Sequence, residues 1–167
     1  PKAHAAAYVM MAFRIAYFKV YYPLAYYAAY FSIRASAFNY ELMCLGRERL
    51  ERYMADYKRR SNELTKKEQD VLKDMRIVQE MYARGFDFMP IDIYKAKAHH
   101  FQIVDEKRLM PSLSTIDGLG DKAADAVVEA IADGPFLSRD DFRSRTKVSS
   151  TVVDLMADLG LLGDLPI

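Results

Sequence analysis

The chain has 167 residues, the usual size of one domain and enough to bury a hydrophobic core without disulfide bonds. Hydrophobic residues make up 51% of the sequence and charged residues 28%, and this balance excludes a disordered chain. A single cysteine, Cys44, excludes a disulfide framework and a thiolate zinc cluster, and only three histidines argue against a His-based metal site. The 24 basic and 23 acidic residues nearly cancel, so overall charge indicates no partner.

Charge is unevenly distributed along the chain, because residues 1–40 contain four basic residues, no acid and most of the tyrosines. A membrane span requires ~20 largely apolar residues. Arg14 and Lys19 interrupt the first apolar stretch, and Pro23 lies in a second stretch that is too short. No signal-peptide pattern is present either. We therefore expect a cytoplasmic protein that does not bind membranes. The first residue is Pro1 rather than Met, which suggests a piece of a longer polypeptide.

Apolar spacing predicts helices in the first half of the chain. The first helix is predicted over residues 3–22; it is apolar on nearly all sides and is therefore expected to be buried inside a larger body. Pro23 begins a second helix that ends near Ser32, and Asn39 is the expected N-cap of a short helical turn. An amphipathic helix is predicted over residues 47–60.

The next helix begins at a capping box formed by Thr65 and Glu68, and Gly85 is its expected stop. After Gly85 the apolar residues follow an extended pattern, which predicts a small β hairpin before residue 111. The chain then closes with three short helices, which begin near Gly120, Ser138 and Ser149. The predicted fold class is mainly α with a small β hairpin (α+β).

Residues 113–131 resemble a helix-hairpin-helix motif, in which a Gly118-Leu119-Gly120 hairpin precedes a helix. Glycines at both positions permit backbone conformations closed to other residues and let a phosphate approach main-chain N–H groups. The unsatisfied N–H groups and the positive dipole end of the following helix face the same phosphate. Lys122 is placed to add a charge contact. We therefore predict DNA-backbone contacts at Gly118, Leu119, Gly120 and Lys122, without sequence preference.

Two features of this motif are unusual for a phosphate-binding site. Asp117 stands where such hairpins usually carry a proline, and residues 117–133 contain five acids against one lysine. A basic run in the next segment either supplies the missing charge as additional DNA contacts or forms a solvated face: Arg139, Arg143, Arg145 and Lys147. The alternative for the motif itself is a glycine-containing turn between two packed helices.

Further segments carry a resemblance that covers essentially the whole chain. They are Pro1-Lys-Ala-His-Ala-Ala-Ala-Tyr8, Arg14–Lys19, Tyr22–Tyr27, Arg84–Phe88, Ile116–Gly120, Phe136–Phe142 and Lys147–Ser149. Together and in this order they resemble the C-family bacterial replicative polymerases, and most closely the PolC-type alpha subunit of DNA polymerase III. In that family an acid at the position of Asp117 is familiar.

The resemblance implies that residues 1–84 are the last helices of a fingers-like domain and that residues 85–167 are a duplex-binding region. It implies double-stranded DNA as the partner of the second part, and the incoming deoxynucleoside triphosphate (dNTP) as the ligand near the first helix. Lys2 and His4, at the start of that helix, are the implied triphosphate contacts. The alternative there is an exposed lysine and a histidine packed against Tyr8.

In polymerases of this family, palm carboxylates hold two metal ions for nucleotidyl transfer, and nothing in this sequence resembles that cluster. The resemblance therefore implies no catalytic residue, metal ligand or cofactor in this chain, with Mg²⁺ bound at the palm of the parent enzyme. A sliding clamp is an expected partner of the parent enzyme, but its binding tail would follow Ile167. Two alternatives remain, namely a stand-alone, non-catalytic helix-hairpin-helix DNA-binding module and a helical scaffold for protein partners.

Overall fold

The protein, described by a computed structural model over residues 1–167, contains eight α-helices and a small three-stranded sheet. The helices are α1 (Lys2–Tyr21), α2 (Pro23–Ala29), α3 (Tyr40–Met43), α4 (Arg47–Arg59), α5 (Lys66–Ala83), α6 (Asp121–Ile131), α7 (Arg139–Thr146) and α8 (Ser150–Asp158). The strands are β1 (Asp87–Phe88), β2 (Gln102–Ile103) and β3 (Arg108–Met110). A π-helical turn, Tyr30–Arg34, continues α2, and a 3-10 turn spans Leu113–Thr115. The predicted class, mainly α with a small β element, is confirmed.

The helix boundaries follow the local signals of the sequence. The predicted capping box is present, because Thr65 Oγ1 accepts from the Glu68 N–H at 3.2 Å and the Glu68 carboxylate accepts from the Thr65 N–H at 2.8 Å. The Thr65 N–H also holds the pKa of the Glu68 carboxyl below its ordinary value. Gly85 follows the end of α5 with a φ of +87°, which favours glycine. Asn39 caps α3 by accepting from the Leu42 N–H at 3.1 Å.

The sheet has one strand more than the predicted hairpin. The hairpin itself is formed by β2 and β3, which are antiparallel and pair Ile103 with Leu109. On the other side of β3, β1 pairs in parallel, with Phe88 beside Leu109, so the strand order is β1-β3-β2. A parallel pair needs a crossover connection, and residues 89–107 provide it. Because this pairing is not local, alternation along the sequence carries no signal for it.

One hydrophobic cluster connects the two parts of the chain and extends from Leu24 to Leu162. Aromatic rings from both parts meet in it: the Phe31 ring centroid lies 5.9 Å from that of Phe88 and 5.4 Å from that of Phe101. Aromatic side chains bury more apolar area than any others and prefer such tilted contacts. This packing therefore holds the helical first part and the second part in a defined relative position.

The first helix, α1, lies outside this cluster, because none of its residues is buried. The side chain of Phe13 is 73% exposed and that of Tyr8 62% exposed. The expected burial of α1 inside a larger body stays a prediction, since within this chain α1 packs against α2 and contacts α5 through Lys19. No helix is both long and apolar enough to cross a membrane.

The C-terminal end of α1 is anchored on α5 through polar contacts. Lys19 Nζ lies 2.7 Å from Glu80 Oε1, and the Arg84 guanidinium donates to the Lys19 carbonyl at 2.9 Å. Tyr27 joins this network by donating to Glu80 at 2.6 Å. Burial, with the Glu80 contact, raises the pKa of Tyr27 to about 12. The direction in which α1 projects is thus set at its last turn.

Candidate nucleic-acid interface

The predicted hairpin lies between the 3-10 turn Leu113–Thr115 and α6. The first helix of the motif is therefore reduced to one 3-10 turn, and the turn is closed by a 3.0 Å hydrogen bond from the Leu119 N–H to the Ile116 carbonyl. The side chains of Leu119 and Ile116 are buried, so the tip of the hairpin is fixed to the core. Ala124, in the first turns of α6, is fully buried, as the motif requires for close packing.

The two glycines of the hairpin have different roles. Gly118 has a φ of +81°, and a Cβ there would lie 2.9 Å from Val152 Cγ2 of α8. Gly120 has a φ of −67° and a ψ of 170°, and a Cβ there would meet no atom within 4 Å. The prediction that conformation demands both glycines is correct for Gly118 and wrong for Gly120. A side chain at Gly120 would obstruct only a ligand that approaches the backbone.

Free main-chain donors surround the hairpin. The N–H groups of Gly118, Gly120, Asp121, Lys122 and Ala123 donate to no acceptor within the chain. The last three form the first turn of α6, and its N-cap, Gly120, has no side chain to accept from them. The positive end of the helix dipole is added to these donors. A set of N–H groups like this can accept a phosphate group as its hydrogen-bond partner, and the exposed side chain of Lys122, which forms no ion pair, lies on the same turn.

A histidine that was not predicted as a site residue contacts the acids of α6. His99, in the segment before β2, has its Nε2 2.8 Å from Asp125 Oδ1 and its Nδ1 3.6 Å from Asp121 Oδ1. His99 thus contacts two carboxylates of α6, one of them on Asp121, whose N–H group is among the free donors. His99 and Asp125 are 26 positions apart, so no local pattern in the sequence could have identified the contact.

Among the predicted additional DNA contacts, Arg145 is engaged inside the fold. Its guanidinium donates to the carbonyls of Ala130, Gly134 and Pro135, the last at 3.0 Å, and lies 4.5 Å from the centroid of the Phe136 ring. These carbonyls lie in the last turn of α6 and just after it, where helices leave acceptors unpaired. Arg145 therefore caps α6 and links it to α7.

Arg143 and Lys147 are exposed and line a shallow concave surface together with Ser149. Lys147 adopts a left-handed conformation, with a φ of +60°, at the end of α7, and Ser149 caps α8. Helix α7, this turn and α8 thus form a second helix–turn–helix pair. It lies next to the hairpin, because Val152 of α8 faces Gly118.

Arg139, the fourth basic residue of this run, begins α7 and is partly buried. Its backbone N–H donates to the Pro166 carbonyl at 2.8 Å, and its Nε is buried without a partner. Part of its guanidinium is therefore withdrawn from solvent. Arg143 and Lys147 are the members of the run that are most available to an external phosphate.

Lys2 and His4 lie at the exposed N-terminal end of α1. The His4 ring contacts the Tyr8 ring edge to face, with 4.7 Å between centroids. With a rise of ~1.5 Å per residue, this end of α1 is roughly 25 Å from the anchor at Lys19. No His, Cys, Asp and Glu side chains are grouped in a way that could hold a metal ion anywhere in the structure.

Comparisons with known proteins agree with this geometry. The family model described as "Helix-hairpin-helix motif" matches residues 85–167. The "DNA polymerase III PolC-type" of Caldanaerobacter subterraneus subsp. tengcongensis is 45% identical over 166 residues, which are 99% of this chain and 12% of that protein. The proteins of the same description from Streptococcus sanguinis and Streptococcus agalactiae are 48% and 47% identical over 99% of this chain and 11% of their own length.

The resemblance found in the sequence is thereby confirmed. Over nearly its whole length the chain is similar to a segment of PolC-type DNA polymerase III, and its second part carries a helix-hairpin-helix motif. The chain spans 11–12% of the length of the curated relatives that it matches.

Proposed function

We propose that this chain is a non-catalytic, duplex-binding part of a PolC-type DNA polymerase and that it holds the phosphate backbone of primer–template DNA at the hairpin. The observation that carries the proposal is the set of unpartnered N–H groups at Gly118 and from Gly120 to Ala123. A phosphate oxygen can accept from several of these groups at once and lies at the positive end of the α6 dipole. Contacts of this kind position DNA without reading its sequence.

The charge needed for such binding comes from side chains around the hairpin rather than from α6 alone. Lys122 on α6 and the exposed Arg143 and Lys147 near the second turn are the proposed cations. Each phosphate that a cation neutralises releases counterions, so affinity falls as salt rises. Arg145 is left out of this set because its donors are used by carbonyls of the fold.

The exposure of α1 favours a segment of a larger enzyme over a stand-alone DNA-binding module. Large apolar side chains cover α1, among them Phe13, Tyr17 and Phe18, and more than half of the surface of each is exposed. A contiguous apolar surface of this kind marks a site where another part of a protein packs. In the parent polymerase we expect the fingers and palm to cover this helix, with the sliding clamp, Mg²⁺ and dNTP as partners of that whole enzyme.

The N-terminal end of α1 is proposed to approach the triphosphate of the incoming nucleotide. Lys2, the His4 imidazole and the free N–H groups of a helix start together suit a polyanion. In the parent polymerase, Lys2→Ala and His4→Ala should impair single-nucleotide incorporation in kcat as well as KM, and should leave duplex binding intact. Unchanged kinetics in both variants would instead support the simple contact of His4 with Tyr8.

The absence of palm-like carboxylates leads to a simple expectation for activity. The isolated chain should not extend a primer at any Mg²⁺ concentration, because its carboxylates are not grouped to hold the metal ions of nucleotidyl transfer. The measurement is gel-resolved primer extension with the purified chain. Templated incorporation that scales with the concentration of the chain would contradict the proposal that the catalytic residues lie elsewhere in the polymerase.

The DNA-binding proposal is tested by titrating fluorescent duplex DNA with the chain over a range of salt concentrations. Lys122→Ala should reduce the slope of log affinity against log salt by about one, because one phosphate contact is lost. Gly120→Val should weaken binding at every salt concentration, since its side chain occupies the space over the free N–H groups while the fold leaves room for it. Thermal melting of both variants is the control for folding. If both bind as the parent chain does, the hairpin is only a structural turn.

A further inference from the structure

A cleft of 330 Å³ lies directly beside the hairpin, between the two parts of the chain. Residues 114–120 form one wall, which includes the hairpin glycines. The opposite wall comes from the first part of the chain, namely the loop 36–39 and the first turns of α5. The hairpin therefore does not stand on an open surface. A DNA strand that reaches its N–H groups would also pass the opposite wall of the cleft.

The wall opposite the hairpin presents hydrogen-bond donors. Lys67 is exposed and forms no ion pair, whereas its neighbour Lys66 lies 3.1 Å from the Asp70 carboxylate. The exposed Ser36 hydroxyl has no partner within the chain, and Asn39 uses its Oδ1 to cap α3, which leaves its amide NH₂ free to donate. This wall thus offers a cation, a hydroxyl and an amide.

The position of this wall is fixed by the core. Asp74, a buried residue of α5, accepts a 2.9 Å hydrogen bond from the Ala37 N–H. The neighbouring ring of Phe38 lies 5.0 Å from the Phe31 centroid and 4.9 Å from the Phe101 centroid. The loop is therefore held by both parts of the chain and keeps its place relative to the hairpin.

We propose that Lys67, assisted by Ser36 and Asn39, is a second phosphate contact, so that one strand of duplex DNA is held from both parts of the chain. This inference rests on the proposed function and extends its site. It accounts for the acidic character of the motif, because a cation from α5 stands across the cleft from the free N–H groups of Gly118 and Gly120. One carboxylate, that of Asp117, also lines the cleft and opposes a phosphate there.

The experiment compares Lys67→Ala with its matched control Lys66→Ala in the whole chain, again by titrating fluorescent duplex DNA against salt. Both lysines are exposed residues of the first turn of α5, but only Lys67 lines the cleft. Lys67→Ala should weaken binding several-fold at low salt and reduce the salt slope by about one, and Lys66→Ala should change neither. Asp117→Asn should strengthen binding in the parent chain and should do so less in the Lys67→Ala chain.

The possible outcomes separate this inference from the function on which it rests. If Lys67→Ala behaves like Lys66→Ala while Lys122→Ala still lowers the slope, the second contact is overturned and the hairpin site stands. If the parent chain shows no salt-dependent binding, both are overturned. A single strand of the same sequence is the third arm: a smaller effect of Lys67→Ala on it supports a duplex as the ligand, and an equal effect overturns that assignment.

Discussion

The imidazole of His99 lies 2.8 Å from a carboxylate oxygen of Asp125, so the segment before β2 is joined to the second turn of α6. The other ring nitrogen faces Asp121 at 3.6 Å. Both acids lie on the helix whose first N–H groups form the proposed phosphate site. His99 therefore orients two negative charges next to a surface that is proposed to bind an anion.

His99→Ala should weaken the binding of duplex DNA. Without the imidazole, the carboxylates of Asp121 and Asp125 are free to turn toward the N–H groups of α6 and to repel a phosphate. The matched control is His100→Ala, which removes an exposed neighbouring imidazole that contacts neither acid. The measurement is duplex affinity at low salt. Equal affinity for the two variants would mean that the His99 contact has no bearing on the site.

Gly118→Ala should destabilise the fold by about 2 kcal/mol, because an alanine is strained at a positive φ and its Cβ would press on Val152. The check is chemical denaturation of the variant and the parent chain. Gly134→Ala is the control for backbone strain alone, since Gly134 has a φ of +107° and open space around it. Adding Val152→Ala to Gly118→Ala should recover part of the loss; no recovery would contradict the steric explanation.

Asp74→Asn should change how stability depends on acid pH. Burial raises the pKa of Asp74 above its ordinary value, so in the pH window between the two values the folded chain binds more protons at this carboxyl than the unfolded chain. Through that window the contribution of Asp74 to stability therefore falls as pH rises, and the asparagine variant lacks this contribution.

The measurement for Asp74→Asn is the difference in free energy of unfolding between variant and parent. It should shift in favour of the variant as pH rises through the window and then become constant. Taking the difference cancels the contributions of the other carboxyls to the pH dependence, such as that of Glu68, whose pKa is lowered. A difference that does not vary with pH would contradict the assignment of this titration to Asp74.

Arg145→Ala should lower stability and Arg143→Ala should lower DNA affinity. Arg145 donates to carbonyls at the end of α6, and losing hydrogen bonds from a charged donor costs on the order of 2 kcal/mol. Arg143 is exposed, so its removal should leave the melting temperature unchanged and reduce the salt slope of duplex binding. The paired readouts are thermal melting and salt titration. A lower melting temperature for Arg143→Ala and an unchanged one for Arg145→Ala would contradict these two roles.

Much of the local structure could be predicted from the sequence, because its signals join residues that are close along the chain. The capping box at Thr65, the stop at Gly85 and the cap at Asn39 each involve atoms within four positions of one another. The hairpin glycines and the helix that follows are recognisable for the same reason. The family resemblance likewise depended on short ordered segments and is confirmed by relatives that match nearly the whole chain.

Tertiary structure alone decided which distant residues surround the hairpin. They include the parallel pairing of β1 with β3, the contact of His99 with Asp125 and the position of Lys67 across the cleft, each of which joins residues far apart in the sequence. The same core leaves α1 exposed within this chain, and the burial that its composition predicts belongs to a larger body. The pattern of apolar residues predicts which side chains are buried. It does not predict which residues they contact, because those contacts depend on the packing of the whole core and join residues far apart in the sequence.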